Sequence, residues 1–376
     1  MPKTLKLIDL FCGTGGFAQG FVDHSSRFEI SYAIDNNSNA AKTAKANHPS
    51  THVSEEDIRE VDPVQIGSLL GVDEVDVIVG GPPCQGFSSL RPNRSSKESD
   101  ERNNLFLNYA KFVNYFRPKV FVLENVVGLV THDQGNTLTR ILETFSDLGY
   151  TCDWRILNAA NYGVPQKRER VILIGSRERV SIQFPPPTHH YNGRVIGHRD
   201  RSRIATSVDG LPPALSVMDA IGDLPSLLSG ESAEIYSNFP KVEYQRLRRK
   251  KQKVLTLHRA SNHSTKMLQV IRHAGASISS IPRHLITSGF SSCYSRLEAH
   301  EPATTITVKF QSPASSKCIH PQQDRTITPR EAARIQGFDD DYVFRGSLTQ
   351  IAAQIGNAVP PLLGKAIAGE VLNMLD

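Results

Sequence analysis

The first half of the chain alternates short apolar runs with segments of helical spacing, and this alternation restricts the fold more than any other feature. LKLIDLF is followed by GGFAQGFVDH, FEISYAID by NSNAAKTAKANH, VDVIVG by a polar loop and NLFLNYAKFVNYF, and KVFVLENV by NTLTRILETFSDLG. Strand-like runs separated by helices predict a parallel sheet with helices on both faces. CDWRILNA, RVILIGS and a short run near THVS bring the sheet to about seven strands. After Phe184 the pattern breaks at the proline-rich PPPTHHYNG. From there to about Pro321 the segments are short, polar and turn-rich, and helical periodicity then returns in TPREAARIQGF and PPLLGKAIAGEVLNML. The expected organisation is an α/β domain over 1–185, a basic module over 186–320, and a return over 321–376 that completes the first domain.

Composition narrows the class. The 376 residues suffice for a sizeable core. No run approaches the ~20 apolar residues of a membrane span and no signal-peptide pattern opens the chain, so a cytosolic protein without a membrane partner is expected. The five cysteines, Cys12, Cys84, Cys152, Cys293 and Cys318, form no C-x-x-C pair and indicate neither a disulfide framework nor a zinc site. The histidines of THHYNGRVIGH, with His258 and His263, match no ligand spacing and are read as surface residues; no metal is expected. The net charge is only +5, but between Pro186 and His300 sixteen Lys/Arg face eight Asp/Glu. The densest run, YQRLRRKKQKVLTLHR, holds Arg248, Arg249, Lys250 and Lys251. Such a run is a solvated helix face or a nucleic-acid contact.

In an open parallel sheet, ligands bind beyond the carboxyl ends of the strands. There the chain places DLFCGTGGF after the first strand, Asp35 after the second, Pro83-Cys84 after the fourth and Glu124-Asn125 after the fifth. A glycine-rich turn with a downstream acid is shared by NAD, FAD and S-adenosylmethionine proteins. G-x-G-G lacks the third, pyrophosphate-fitting glycine and favours a nucleoside ligand without phosphates. A cysteine after a strand is a small buried hydrophobe or a nucleophile. A glutamate ending VFVL needs a partner or a chemical role. Together they supply what methylation of cytosine at C5 demands: a thiolate to add at C6 and an acid to protonate N3.

With these residues in place, the chain resembles a DNA (cytosine-5)-methyltransferase. DLFCGTGGF resembles the cofactor motif, GGPPCQGFS the nucleophile loop, ENV the acid motif and QKRERVILIG the arginine motif. RLEAHEPATTIT, TPREAARIQGFDDDY and QIGNAVPP come next, in the family's order. The likeness covers the chain except roughly 185–293. It implies a Rossmann-like α/β fold: a mostly parallel seven-stranded sheet of the S-adenosylmethionine-dependent methyltransferases, with a second, smaller, irregular DNA-recognition domain. By this resemblance Cys84 is the nucleophile and Glu124 the residue at the N3 and amino edge of the base. Arg168 contacts the cytosine O2 and backbone, and Arg170 supports the catalytic carboxylate. Phe11, Gly13, Gly15, Asp35, Asn36, Asp57, Ile58, Pro83, Leu105, Asn357 and Val359 would hold S-adenosylmethionine, released as S-adenosylhomocysteine. Two positions depart from the pattern: Asp35 stands where the family usually has Glu, shortening the reach to the ribose, and Asn36 stands where an aromatic often stacks on adenine.

The target atom of cytosine is stacked inside the duplex, so such an enzyme flips the base out. The long polar segment after Cys84 resembles the loop that closes over it, with Gln85, Ser88, Arg91 and Arg94 meeting DNA. Arg248, Arg249, Lys250 and Lys251 extend the expected double-stranded DNA surface into the recognition module. No obligate protein partner is implied, and a monomer working at the bacterial nucleoid, like the modification enzymes, is expected. Three other readings compete: a tRNA methyltransferase, although the chain lacks that branch's Cys-Phe-Thr tripeptide and compact middle; a catalytically silent DNA-binding protein on the same fold; and a dehydrogenase.

Overall fold

The computed structural model describes residues 3–83, 105–178, 180–193, 200–206, 209–286 and 289–376. Two compact units emerge: one comprises 1–162, 169–211 and 361–376, the other 163–168 and 212–360. The tail 186–211 goes with the first unit because its backbone is tied there. Thr188 N and His189 N donate to Asn161 O, and Ala205 N donates to Ile156 O.

The first unit is built on strands β1 (Leu5–Leu10), β2 (Phe28–Ile34), β3 (His52–Ser54), β4 (Val77–Gly80), β5 (Val120–Val126), β6 (Thr151–Asn158) and β8 (Glu169–Ser176); β7 (Gln166–Lys167) belongs to the second unit. The seven-stranded order is β3-β2-β1-β4-β5-β8-β6. All ladders are parallel except those of β8, which runs antiparallel to both β5 and β6. All of β4 is buried, as is β5 as far as Asn125, which is why these stretches read as continuous apolar runs and not as alternating ones. Helices α1 (Gly16–His24), α2 (Ser38–Asn47), α3 (Pro63–Leu70), α4 (Leu105–Phe116), α5 (Gly128–Thr131) and α6 (Asn136–Asp147) connect them. α6 sets Leu138, Ile141 and Phe145 on one stripe, and these join Phe106, Phe112, Phe116 and Phe121 in the core. Tyr109 crosses this core and gives its hydroxyl to Ile78 O and Val122 O, at 3.1 Å each. Because β1 lies between β2 and β4, the chain reverses direction there, and the topological switch point falls at the carboxyl ends of β1 and β4.

The second unit has less regular structure. Its helices are α7 (Val217–Ile221), α8 (Glu243–Arg249), α9 (Thr265–Arg272), α10 (Pro329–Ile335) and α11 (Leu348–Asn357); α12 (Pro361–Leu375) returns to the first unit. α10 is buried along its whole length, charges included. Glu331 forms two hydrogen bonds with Arg325, at 2.7 and 2.8 Å. Arg334 lies between Asp340, at 2.7 Å, and Asp223, at 2.8 Å. His258 is interior and not at the surface as expected: only 2% exposed, it bonds to Pro225 O and the Thr328 hydroxyl. Buried charges persist because each is paired and hydrogen-bonded.

Candidate active site

The site is assembled from loops at the carboxyl ends of β1, β2, β4 and β5. After β1 the chain bends through Phe11, Gly13 and Gly15, all with positive φ (59°, 53° and 82°). A side chain is strained in that conformation, so glycine is the natural choice at two of the three. A Cβ added at Gly13 would meet no heavy atom within 4 Å, so the inner side of the turn is open. Asp35 stabilises the turn: its Oδ2 accepts the Gly13 N–H at 2.9 Å and its Oδ1 the Asn37 N–H at 2.8 Å. Burial still raises its carboxyl above the ordinary range, against these two hydrogen bonds. Asn36 is exposed.

Ile58 and Leu105 belong to the apolar core of this unit, and Phe11 packs against it. Asp57, preceding Ile58, is held by Arg59 through bonds of 3.0 and 2.7 Å to its two oxygens, which lower its pKa. A further carboxyl, Asp9, lies inside β1 at 1% exposure. It is absent from the residues expected at the site, although a lone acid within LKLIDLF was a signal.

Glu124 lies in the buried part of β5, which ends at the next residue, Asn125. Its Oε1 lies 2.6 Å from Arg170 Nε, and both side chains have little exposure. The antiparallel register pairs Val126 with Arg170, so the guanidinium reaches along the ladder to the carboxylate two residues back. Gly81, beyond β4, lies against this pair: a Cβ there would come within 2.9 Å of Glu124 Oε2. Asn125 donates to Pro82 O at 3.2 Å and so anchors the start of the loop carrying Pro83, which is exposed. Cys84, Gln85, Ser88, Arg91 and Arg94 lie outside the described residues.

Arg168, Asn357 and Val359 belong to the second unit, where Arg168 is buried and donates to Gly356 O at 3.2 Å and to Asn357 O at 3.5 Å. Gln336 holds the same segment through Ile355 O at 2.5 Å. In this unit several cations of the basic run are paired with other residues of the unit. Arg248 pairs with Asp339 at 2.7 Å and donates to Gly337 O; Arg249 donates to Asn238 O and lies 3.7 Å over the Tyr236 ring; Lys250 bridges Asp339 and Asp341. Lys251 is exposed.

The family model for C-5 cytosine-specific DNA methylase matches residues 5–373. Type II methyltransferase M.AgeI of Thalassovita gelatinovora is 36% identical, over 97% of this chain and 98% of the relative. Type II methyltransferase M1.HphI of Haemophilus parahaemolyticus is 35% identical, over 99% and 87%. Among solved structures, a prophage-encoded E. coli protein superposes with a TM-score of 0.76 at 24% identity over 99% of both chains, a likeness of fold.

Proposed function

The chain belongs to the C-5 cytosine-specific DNA methylase family, and we propose that it methylates C5 of a cytosine flipped out of a specific double-stranded sequence, with Cys84 as covalent nucleophile and S-adenosylmethionine as donor. The paired carboxylate of Glu124 beside the Gly81-Pro82 turn carries this reading, because it sets an acid at the root of the loop that bears the thiol.

Cytosine C5 is too electron-poor to take a methyl group unaided. In the proposed reaction the Cys84 thiolate bonds to C6 while Glu124 holds a proton at N3, which draws charge from the thiolate into the ring and gives C5 enamine character. After C5 is methylated, its proton passes to water, the C5–H electron pair reforms the C5–C6 double bond, and the C6–sulfur bond breaks with its electrons returning to the Cys84 thiolate. Arg170 keeps the Glu124 carboxyl oriented toward the base and offsets its charge while the base is absent.

When bound, S-adenosylmethionine supplies an electrophilic methyl group on a sulfonium and leaves as S-adenosylhomocysteine. The first unit fits such a ligand. Gly13 leaves the turn open, each Asp35 oxygen keeps a lone pair beyond its backbone bond for ribose hydroxyls, and Phe11, Ile58 and Leu105 offer an apolar wall for the adenine. For DNA, we assign phosphate contacts to Ser88, Arg91 and Arg94 after the nucleophile and to Lys251 in the second unit.

DNA carrying 5-fluorocytosine tests the reading, because fluorine cannot leave as a cation. The wild type should form a covalent adduct at Cys84, located by peptide mass spectrometry, and Cys84→Ser should form none. Full turnover by Cys84→Ser would overturn the mechanism.

A further inference from the structure

Helix α11 runs into QIGNAVPP, a sequence that denies its end the usual caps. The last carbonyls of a helix need partners from beyond its own ladder. Ala358, the residue after α11, is extended and not left-handed, so no glycine-type cap forms. Pro360 and Pro361 have no N–H to give. Ala358 N donates to Gln354 O and Ile355 O, and side chains from elsewhere in the second unit do the rest. Gln336 Nε2 donates to Ile355 O at 2.5 Å and reaches Ala358 O at 3.5 Å. Arg168 donates to Gly356 O at 3.2 Å and to Asn357 O at 3.5 Å, which also sets a cation at the negative end of the helix. The carbonyls from 355 to 358 are thus held in succession by two buried side chains.

Gln336 is itself fixed. Its Oε1 accepts from Gln166 Nε2 at 2.6 Å, and Gln166 Oε1 accepts the Ile306 N–H at 2.9 Å. Both glutamines are fully buried. The backbone at each end sets the direction of the chain: Ile306 N–H can only donate and Ile355 O can only accept, so each carboxamide turns its oxygen toward 306 and its nitrogen toward 355. A side chain that only donates, only accepts or does neither would break one link. Gly356 brings the two ends together, because a Cβ there would come within 2.6 Å of Thr307 C and Val308 N. The end of α11 therefore lies flush against the segment that the relay starts from.

We propose that Gln336, with Gln166 behind it, is a positioning residue: the two carboxamides fix the end of α11 before any ligand arrives, and so set Asn357 and Val359 where they meet the cofactor. Arg168 shares this task through the Gly356 and Asn357 carbonyls. Neither glutamine touches the cofactor; each acts through the backbone it holds. A helix end already fixed spares the ligand the entropy of ordering it. The proposal rests on the reading that Asn357 and Val359 serve S-adenosylmethionine.

Gln336→Met keeps the length of the side chain but neither donates nor accepts strongly, so it cuts the relay at its centre. In titration calorimetry Gln336→Met should lose about tenfold in affinity for S-adenosylhomocysteine, as for the loss of a buried amide hydrogen bond, while binding of duplex DNA without cofactor stays unchanged. Asn357→Ala should also weaken S-adenosylhomocysteine, and the double variant should bind no more weakly than Asn357→Ala alone, because Gln336 acts through that residue. Losses that simply add, or an unchanged affinity in Gln336→Met, would overturn the proposal. Amide hydrogen exchange on the wild type decides should Gln336→Met fail to fold. Asn357 and Ala358 should be protected as well in the free protein as with S-adenosylhomocysteine bound; protection that arises only with the ligand would mean that the ligand, and not the relay, orders the helix end, and would overturn the proposal. A wild type that binds no S-adenosylhomocysteine would instead remove the cofactor reading beneath it, and the exchange measurement would still judge whether the helix end is fixed.

Discussion

In the proposed reaction the chemistry depends most on Glu124, whose neighbours explain how a carboxyl with little exposure is kept there. Arg170 offsets its charge and Gly81 leaves room for its second oxygen. Glu124→Gln preserves shape and one acceptor but cannot hold the N3 proton as an acid, so single-turnover methylation should fall by roughly 10²–10⁴ while DNA affinity in a filter-binding titration stays nearly constant. Equal losses in both would mean that Glu124 grips the base without activating it. The basic run divides at the same scale. Arg248→Glu places a negative charge beside Asp339 in a partly buried site and should destabilise the second unit by about 3 kcal/mol or more. Lys251→Glu, on an exposed side chain, should leave the melting temperature unchanged and lower the salt dependence of DNA binding by about one counterion. An unchanged salt slope in Lys251→Glu would remove Lys251 from the DNA surface.

Among the elements, the turn after β1 is the most constrained. Gly13→Val puts a β-branched residue at φ +53° and fills the open side of the turn. The expected result is a loss of roughly tenfold or more in S-adenosylmethionine affinity with the unfolding transition of the sheet retained; unchanged affinity would place the ligand elsewhere. The loop around His320 makes a second prediction. His320 Nδ1 accepts N–H groups from Gln322 and Gln323, both at 3.1 Å, so the ring cannot take a proton there without losing two acceptor contacts. Burial first, against the attraction of Glu331, lowers its pKa to about 4. The unfolded chain binds that proton near pH 6.5, so the contribution is whole above pH 6.5 and is lost as pH falls toward 4, amounting to roughly 3 kcal/mol. Denaturant midpoints measured from pH 7 to pH 4.5 should fall in the wild type and fall less in His320→Gln; parallel curves would exclude His320 as the source.

At the scale of the molecule, the range of the interactions decides which features the sequence disclosed and which it concealed. The seven-stranded sheet was legible because its strands are apolar on both faces and local in sequence, as in VIVG and VFVL. α3 was overlooked despite Asp62 as its cap, Pro63 in its first turn and Gly71 in the left-handed conformation at its end, because it is short and its apolar residues do not repeat over several turns. The ionic interior of the second unit was not legible. Arg334 and Asp223, buried against each other, are 111 positions apart, and each alone resembles a surface charge. The same holds at the site: Glu124 and Arg170 were each marked by a motif, whereas the Asp9 oxygen that is unmatched among the described residues emerges only once the strands are paired. The central claim, methyl transfer to C5 of cytosine in DNA, is tested most directly by incubating the purified protein with duplex DNA and isotopically labelled S-adenosylmethionine, then digesting the DNA to nucleosides for mass spectrometry. The account predicts label in 5-methyl-deoxycytidine, confined to one sequence on bisulfite sequencing and absent with Cys84→Ser. Label in another nucleoside, or incorporation into tRNA and none into DNA, would contradict it.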